Sequence, residues 1–311
     1  MKKLFFSLVI GGLGLLSATP TGGEIHPSDA FATVPHKSFH ACFLPAARAF
    51  GPVCHAHVHP GDSSLPRVDK EFLIQVHIVR DSLGQTLTDA EIATVRNSVA
   101  GASGAFSGIG ISFETDDSVR VIDNFRFNKP EDTWRLDEMA RLHAVADRIN
   151  LFVFEAYTGV LEGAAGIASG ESMFLPFASM ANSGTVTHEL GHVFSLAHTF
   201  GAGDVIAAAQ GEPFDASMEL VDGSNCETTG DNICDTPADP YIPNDPNGTV
   251  WIDGNCVYIY DGRDANGDYY EPDIDNIMAY YFPDDPCYCN GGFSRGQLRK
   301  MADFYNRNEW W

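Results

Sequence analysis

His188, Glu189, His192 and His198 are the residues whose types and spacing could do chemistry, and they lie within HELGHVFSLAH at 188–198. Two histidines four apart on a helix share one face, so both imidazoles can reach a single metal ion. Glu189, beside the first of them, can take a proton from a water that the metal activates. His198 adds a third protein ligand and leaves one coordination position for water and substrate. Imidazole ligands with a neighbouring carboxylate point to zinc and to hydrolysis. A helix with two surface histidines would carry the same HExxH signature, so the surrounding elements have to decide.

Those elements read as an α/β array. Residues 72–79 are β-branched, apolar and short, and predict a buried strand. Thr88 and Glu91 form a capping box, after which Ile92, Val95, Val99, Ala102 and Phe106 recur at helical spacing. Strands are expected at 111–114, 119–122 and 150–155, and a second helix over 131–146. Strand, helix, strand, helix, strand implies a mostly parallel sheet. A Gly- and Ala-rich stretch (163–170) and an apolar run (173–180) precede the helix with the histidines, which Ser183 or Thr185 could cap. Residues 201–290 are acidic, rich in Gly, Pro, Asn and Asp, and nearly without periodicity. Ser294 with Gln297 predicts a capping box for a closing helix.

The chain start implies export. Lys2 and Lys3 precede an apolar run, 4–16, that ends in Ser17 and Ala18, the pattern of a secretory signal over 1–18. The run is too short to span a bilayer comfortably, and no later stretch looks transmembrane. Residues 19–68, rich in Pro, Gly, Ala, Ser and His, read as an extension or propeptide before a domain over 69–311. A formal net charge of −23 disfavours nucleic acid and anionic membranes as partners. Acidic loops in an exported chain can also hold calcium through oxygen ligands. Seven cysteines in such a chain suggest disulfides, and none falls in the histidine motif.

Three segments together resemble a known family: HELGHVFSLAHTF (188–200), GDNICDTPADP (230–240) and DNIMAYY (275–281), with CYCNGGFSRGQLRKM (287–301) as a fourth. They resemble the metzincin zinc metalloproteases, and within them the pappalysins, over roughly residues 70–305. The resemblance implies a zincin fold: a mixed, mostly parallel twisted sheet, two long helices above the zinc cleft, and an irregular lower subdomain with a C-terminal helix. It implies a secreted zinc endopeptidase with His188, His192 and His198 on zinc and Glu189 as general base and acid. Met278 would form a Met-turn beneath the metal, although an ordinary core methionine would look the same. Tyr280 would stabilise negative charge at the transition state, unless it is a packed aromatic. An edge strand near 174–178 would pair with an extended peptide substrate.

The same resemblance implies calcium at Asp231, Asp235 and Thr236, where an acidic, solvated loop is the plain alternative. It implies crossed disulfides, Cys226 with Cys256, and Cys234 with Cys287 or Cys289. Cys54 could occupy the open zinc position and hold the enzyme latent, or pair with Cys42. Asp264, Asn266, Asp268 and Asp275 mimic EF-hand spacing, but Tyr269 stands where the sharp turn wants glycine. One residue departs from the family pattern. Ser195 stands where glycine usually lets the chain leave the helix, and serine in a left-handed conformation costs on the order of 1–2 kcal/mol. Two other functions compete: an esterase or amidase using the same water chemistry, and a non-catalytic, calcium-stabilised binding domain that keeps zinc for structure. An intact Glu189 argues against the latter, since metal binding alone does not need it.

Overall fold

The computed structural model describes residues 64–81, 83–84, 87–181, 183–201, 218–240, 258–280 and 292–308, and the backbone of 40–42. By its contacts the chain divides into 1–37 and 38–311, and every described residue belongs to the second unit. The signal at 1–18, Cys54, Cys256, Cys287 and Cys289 lie outside the described residues.

The chain is a mixed α/β protein built on a seven-stranded, mostly parallel sheet. Its strands are β1 (His40–Cys42), β2 (Lys70–Arg80), β3 (Ile111–Thr115), β4 (Arg120–Asp123), β5 (Ile149–Phe154), β6 (Gly166–Ser169) and β7 (Ser172–Pro176). The order is β1-β6-β7-β5-β2-β3, with β4 continuing along the same edge of β2 as β3. β2 pairs in parallel with β3, β4 and β5, and β5 in parallel with β7. β6 and β1 run antiparallel to their neighbours.

Alternation along β2 explains the two layers. Phe72, Ile74, Val76 and Ile78 face a core shared with α1 (Asp89–Phe106), α4 (Ser183–Val193) and α5 (Arg295–Asn308). Val79 joins a second core with Leu136 and Met139 of α3 (Thr133–His143) and Phe127 of the single turn α2 (Phe125–Asn128). β5 is buried at all six positions, as a central strand covered on both faces must be. Packing begins before residue 69: Leu65 is 3% exposed within the first core, and Val68 donates to Ile109 O at 2.8 Å.

Local signals place the helix ends. Thr88 and Glu91 form the expected box, with Glu91 N donating to Thr88 Oγ1 at 3.3 Å and Thr88 N to Glu91 Oε2 at 2.7 Å. Ser294 and Gln297 do the same for α5 at 3.1 and 2.8 Å. Helix α3 is shorter than the predicted 131–146. Asp132 caps it by accepting from Arg135 N, and Ala144 turns out of it so that Val145 N reaches Asn150 Oδ1 at 2.7 Å.

Two expectations are corrected. The stretch 174–178 is not an edge strand. β7 ends at Pro176 and is flanked by β5 and β6, because the Gly-rich 163–170 forms β6 and folds onto β7 through Gly170 at φ 57°. Ser183 and Thr185 are both inside α4 and do not cap it; Ser183 O instead accepts from Thr187 Oγ1 at 2.7 Å.

Candidate metal centre

Helix α4 carries the histidines through the interior, and every residue from Thr185 to Val193 is buried. It runs between α1 and strands β6 and β7. One face sends Val186, Leu190 and Val193 into the core. The helix ends in a Schellman turn: Ser195 N donates to His192 O at 2.9 Å and Leu196 N to Gly191 O at 2.9 Å. Ser195, at φ 70° and exposed, holds the left-handed position where glycine is usual. That reversal returns the chain so that His198 faces His192.

The three imidazoles converge. His192 Nε2 and His198 Nε2 are 3.1 Å apart, and one donor atom from each histidine lies within 4.8 Å of the others. Two nitrogens bound to one zinc at tetrahedral angles would stand about 3.3 Å apart. His188 Nδ1 faces Ile277 O at 2.6 Å and His192 Nδ1 faces Leu196 O at 2.8 Å. A carbonyl only accepts, so each Nδ1 carries its proton and each Nε2 keeps its lone pair. Two outward lone pairs and a third imidazole 3.1 Å from one of them are the donor set a cation takes. The group therefore fits a metal ion.

Glu189 is fully buried, and its carboxyl group lies on the face of β6 at Gly166, where an added Cβ would collide with Oε1. Met278 is fully buried beneath α4, its sulfur 2.6 Å from the place a Cβ on Gly191 would occupy. Met278 O accepts from Thr199 N at 3.2 Å, tying the segment after His198 to this turn. Tyr280 packs edge-on against His198, ring centroids 4.6 Å apart, and lies 6.0 Å from His188. Phe200 stacks on the same imidazole at 4.8 Å. The structure thus brings together the three histidines, Glu189, Met278 and Tyr280 around one group able to hold a metal ion.

The expected calcium residues do not all meet. Asp231 and Thr236 are buried, with Asp231 Oδ1 accepting from Thr236 Oγ1 at 2.9 Å and from Ile233 N at 3.0 Å. Asp235 is exposed. It accepts from Ser294 Oγ at 2.7 Å and Gly296 N at 2.6 Å, so it anchors the start of α5. Glu219 and Asp239 are also buried, and the charges of Asp231 and Asp239 act on Glu219; the sequence did not announce either residue. Thr199 Oγ1 donates to Asp239 Oδ2. Glu219 Oε2 and Asp231 Oδ2 are buried with no hydrogen-bond partner among the described residues. Burial, with the charges of Asp231 and Asp239 nearby, pushes Glu219 up to about 8; burial pushes Asp231 up to about 7.

Asp264 shows the opposite. Its oxygens accept from Val221 N, Asn266 N and Asp268 N, each at 2.9 Å, so it closes its own loop. The crossed disulfides are also corrected. Cys226 bonds Cys234, Cα atoms 5.0 Å apart, because turns after Gly223, Asn225 and Thr229 fold the eight-residue separation back on itself.

Asn276 and Gln297 form a second feature that the sequence did not announce. Their amides exchange two hydrogen bonds, both at 3.1 Å, and Asn276 Oδ1 also accepts from Met278 N. The capping residue of α5 thereby holds the methionine turn.

Replacing Ser195 by glycine tests the turn itself. Relief of left-handed strain, offset by glycine's extra freedom when unfolded, should leave stability unchanged or raise it by about 1 kcal/mol. Metal content should stay the same in metal analysis beside a melting curve. A drop in either would assign the hydroxyl another role.

No protein-family model matches this chain, and no curated protein matches it. Fold and site define the class by themselves: a mixed α/β protein with a buried three-histidine group able to hold a metal ion.

Proposed function

We propose that the protein is a secreted zinc endopeptidase of the metzincin class, pappalysin-like in its site. The observation that carries this is the fully buried Glu189 beside three converging histidines. A structural zinc site needs only its ligands; a carboxylate held against the sheet at the same place is what water attack requires. His188, His192 and His198 would hold zinc, which as a Lewis acid polarises the attacked carbonyl and lowers the pKa of water. Glu189 takes the proton of the attacking water and delivers it to the leaving amine nitrogen. The Tyr280 phenol, packed on His198, donates to the oxygen that gains negative charge. Met278 floors the site without ligating.

Export is supported by the signal-like start and by the disulfide. Among the described residues no helix is long and apolar enough to cross a membrane. An extended peptide is the substrate this fold would favour, laid along the β6 side of the sheet, where Glu189 sits.

The test is zinc removal and return, on protein freed of its N-terminal extension. Chelated protein should cleave nothing in a peptide library, and one equivalent of zinc should restore cleavage. A zinc-loaded protein that cleaves no peptide would end this reading and leave the non-catalytic one.

Calcium, we infer, binds beside Glu219 and Asp231, two buried carboxyls each with one oxygen lacking a hydrogen-bond partner among the described residues. At about 100 times its dissociation constant it should stabilise the protein by about 2.7 kcal/mol, a rise of roughly 5–10 °C in melting temperature. Glu219→Gln and Asp231→Asn should each abolish the rise, while Asp235→Asn should keep it. Loss of the response in Asp235→Asn alone would reverse the assignment.

A further inference from the structure

The carbonyl that holds His188 belongs to a peptide unit gripped at its other end. Ile277 O accepts from His188 Nδ1 at 2.6 Å. The peptide that carries this oxygen also carries the Met278 N–H, and in a planar trans peptide the two point opposite ways. Met278 N donates to Asn276 Oδ1 at 2.9 Å, so fixing that N–H aims the carbonyl at the imidazole. Asn276 is itself held: its Nδ2 donates to Gln297 Oε1 and Gln297 Nε2 returns a bond to its Oδ1, both at 3.1 Å. Neither amide can be turned over. Ser294 N, which only donates, faces Gln297 Oε1 at 2.8 Å, and Met278 N, which only donates, faces Asn276 Oδ1. Ile277's own N–H reaches Gly292 O at 3.4 Å, beyond the usual range, and holds the turn weakly by comparison.

We propose, resting on the metal-binding half of the peptidase reading, that Asn276 and Gln297 are positioning residues that tune His188 as a metal ligand through the Ile277 carbonyl. The bonds run head to tail. His188 N–H donates to the 277–278 peptide, that peptide's N–H to the Asn276 amide, and the Asn276 N–H to the Gln297 amide. An amide that donates at nitrogen accepts more strongly at oxygen, so bonds in such a chain reinforce one another. The effect reaches the Ile277 carbonyl, which draws harder on the Nδ1 proton and leaves more electron density at His188 Nε2, the ligating atom. The chain ends inside α5, where Gln297 is fully buried and also caps the helix. The C-terminal helix is thereby part of the metal centre, though it supplies none of the three imidazoles.

The experiment separates this role from helix capping, in the full chain. Gln297→Met keeps the volume and removes the far end of the chain of amides. Ser294→Ala removes the capping hydroxyl, which accepts from Gln297 N at 3.1 Å, and leaves Ser294 N and the paired amides in place. Two readings are taken. One is the zinc dissociation constant, by competition with a chelator; the other is the His188 Nδ1 proton resonance in isotope-labelled protein, with and without zinc. In Gln297→Met, zinc affinity should fall by about tenfold or more, and the resonance should move upfield as its hydrogen bond weakens. Asn276→Ala cuts the same chain one link nearer and should cost at least as much, with no further loss when the two are combined. Ser294→Ala should lose melting temperature and keep both readings. Gln297→Glu is the rescue: its carboxyl, kept protonated by burial beside Asn276 Oδ1, donates and accepts as the amide does and should return both readings toward those of the unaltered protein. Unchanged readings in Gln297→Met and Asn276→Ala, or equal losses in Ser294→Ala, overturn the proposal. An unaltered protein that takes up no zinc ends the peptidase reading, while the metal-free resonance still decides whether the amides act on His188.

Discussion

Glu189→Ala should lower kcat for peptide hydrolysis by about 10³–10⁴ while zinc stays at one equivalent per chain, since general acid–base catalysis contributes about 10²–10⁴. No imidazole is touched, and the two Nδ1 anchors, Ile277 O and Leu196 O, remain. Gly166→Ala should slow the reaction from the other side, by a smaller factor. Its Cβ would meet Glu189 at Oε1, at Cδ (2.8 Å) and at Cγ (2.9 Å), three consecutive atoms of a side chain with no exposed surface. The carboxylate has to move, and a displacement of about 1 Å costs on the order of 10²-fold. The double variant should be no slower than Glu189→Ala, because both changes remove one function. Rates and metal content of the four proteins decide it. A Gly166→Ala protein at full rate would mean that the carboxylate works from elsewhere, and an active Glu189→Ala protein would mean that it is not the base.

How much of this was readable from sequence depends on the range of each interaction. The three histidines span eleven residues, and their convergence follows from helical spacing plus one left-handed residue at Ser195. The capping boxes at Thr88 and Ser294 are likewise four-residue patterns. β2 and β5 declared themselves by continuous apolar, β-branched runs. The buried acidic residues did not: Glu219 and Asp239 follow turns that carry no periodic signal, and Asp235, four residues from Asp231, holds the start of α5. Cys226 and Cys234 pair because of those same turns. The edge strand was misplaced because β6 is only four residues long, starts on a glycine, and looks like loop. β1 has three residues whose pairing partners lie more than a hundred positions away.

Gly191→Ala should destabilise the protein by about 1–3 kcal/mol, although helix propensity alone predicts a gain of about 0.5–1 kcal/mol. The new Cβ would sit 2.6 Å from Met278 Sδ, 3.3 Å from Phe293 Cε1 and 3.4 Å from Met278 Cε. A thioether normally yields, but this one is fully buried and its backbone is fixed at both ends. Met278 N donates to Asn276 Oδ1, which Gln297 holds in turn, and Met278 O accepts from Thr199 N. Pushing the turn away also moves Ile277 O, the acceptor of His188 Nδ1, and strains the segment that follows His198. Zinc affinity should therefore fall with stability, by about 10–100-fold, as when the groups that orient ligating histidines are lost. Met278→Ala in the Gly191→Ala background should recover part of both losses, a non-additivity expected only of groups in contact. Melting curves and zinc titrations on the four proteins measure the coupling. A Gly191→Ala protein that is more stable and binds zinc unchanged would show that the methionine turn yields freely, and that it does not hold His188 and His198 in register.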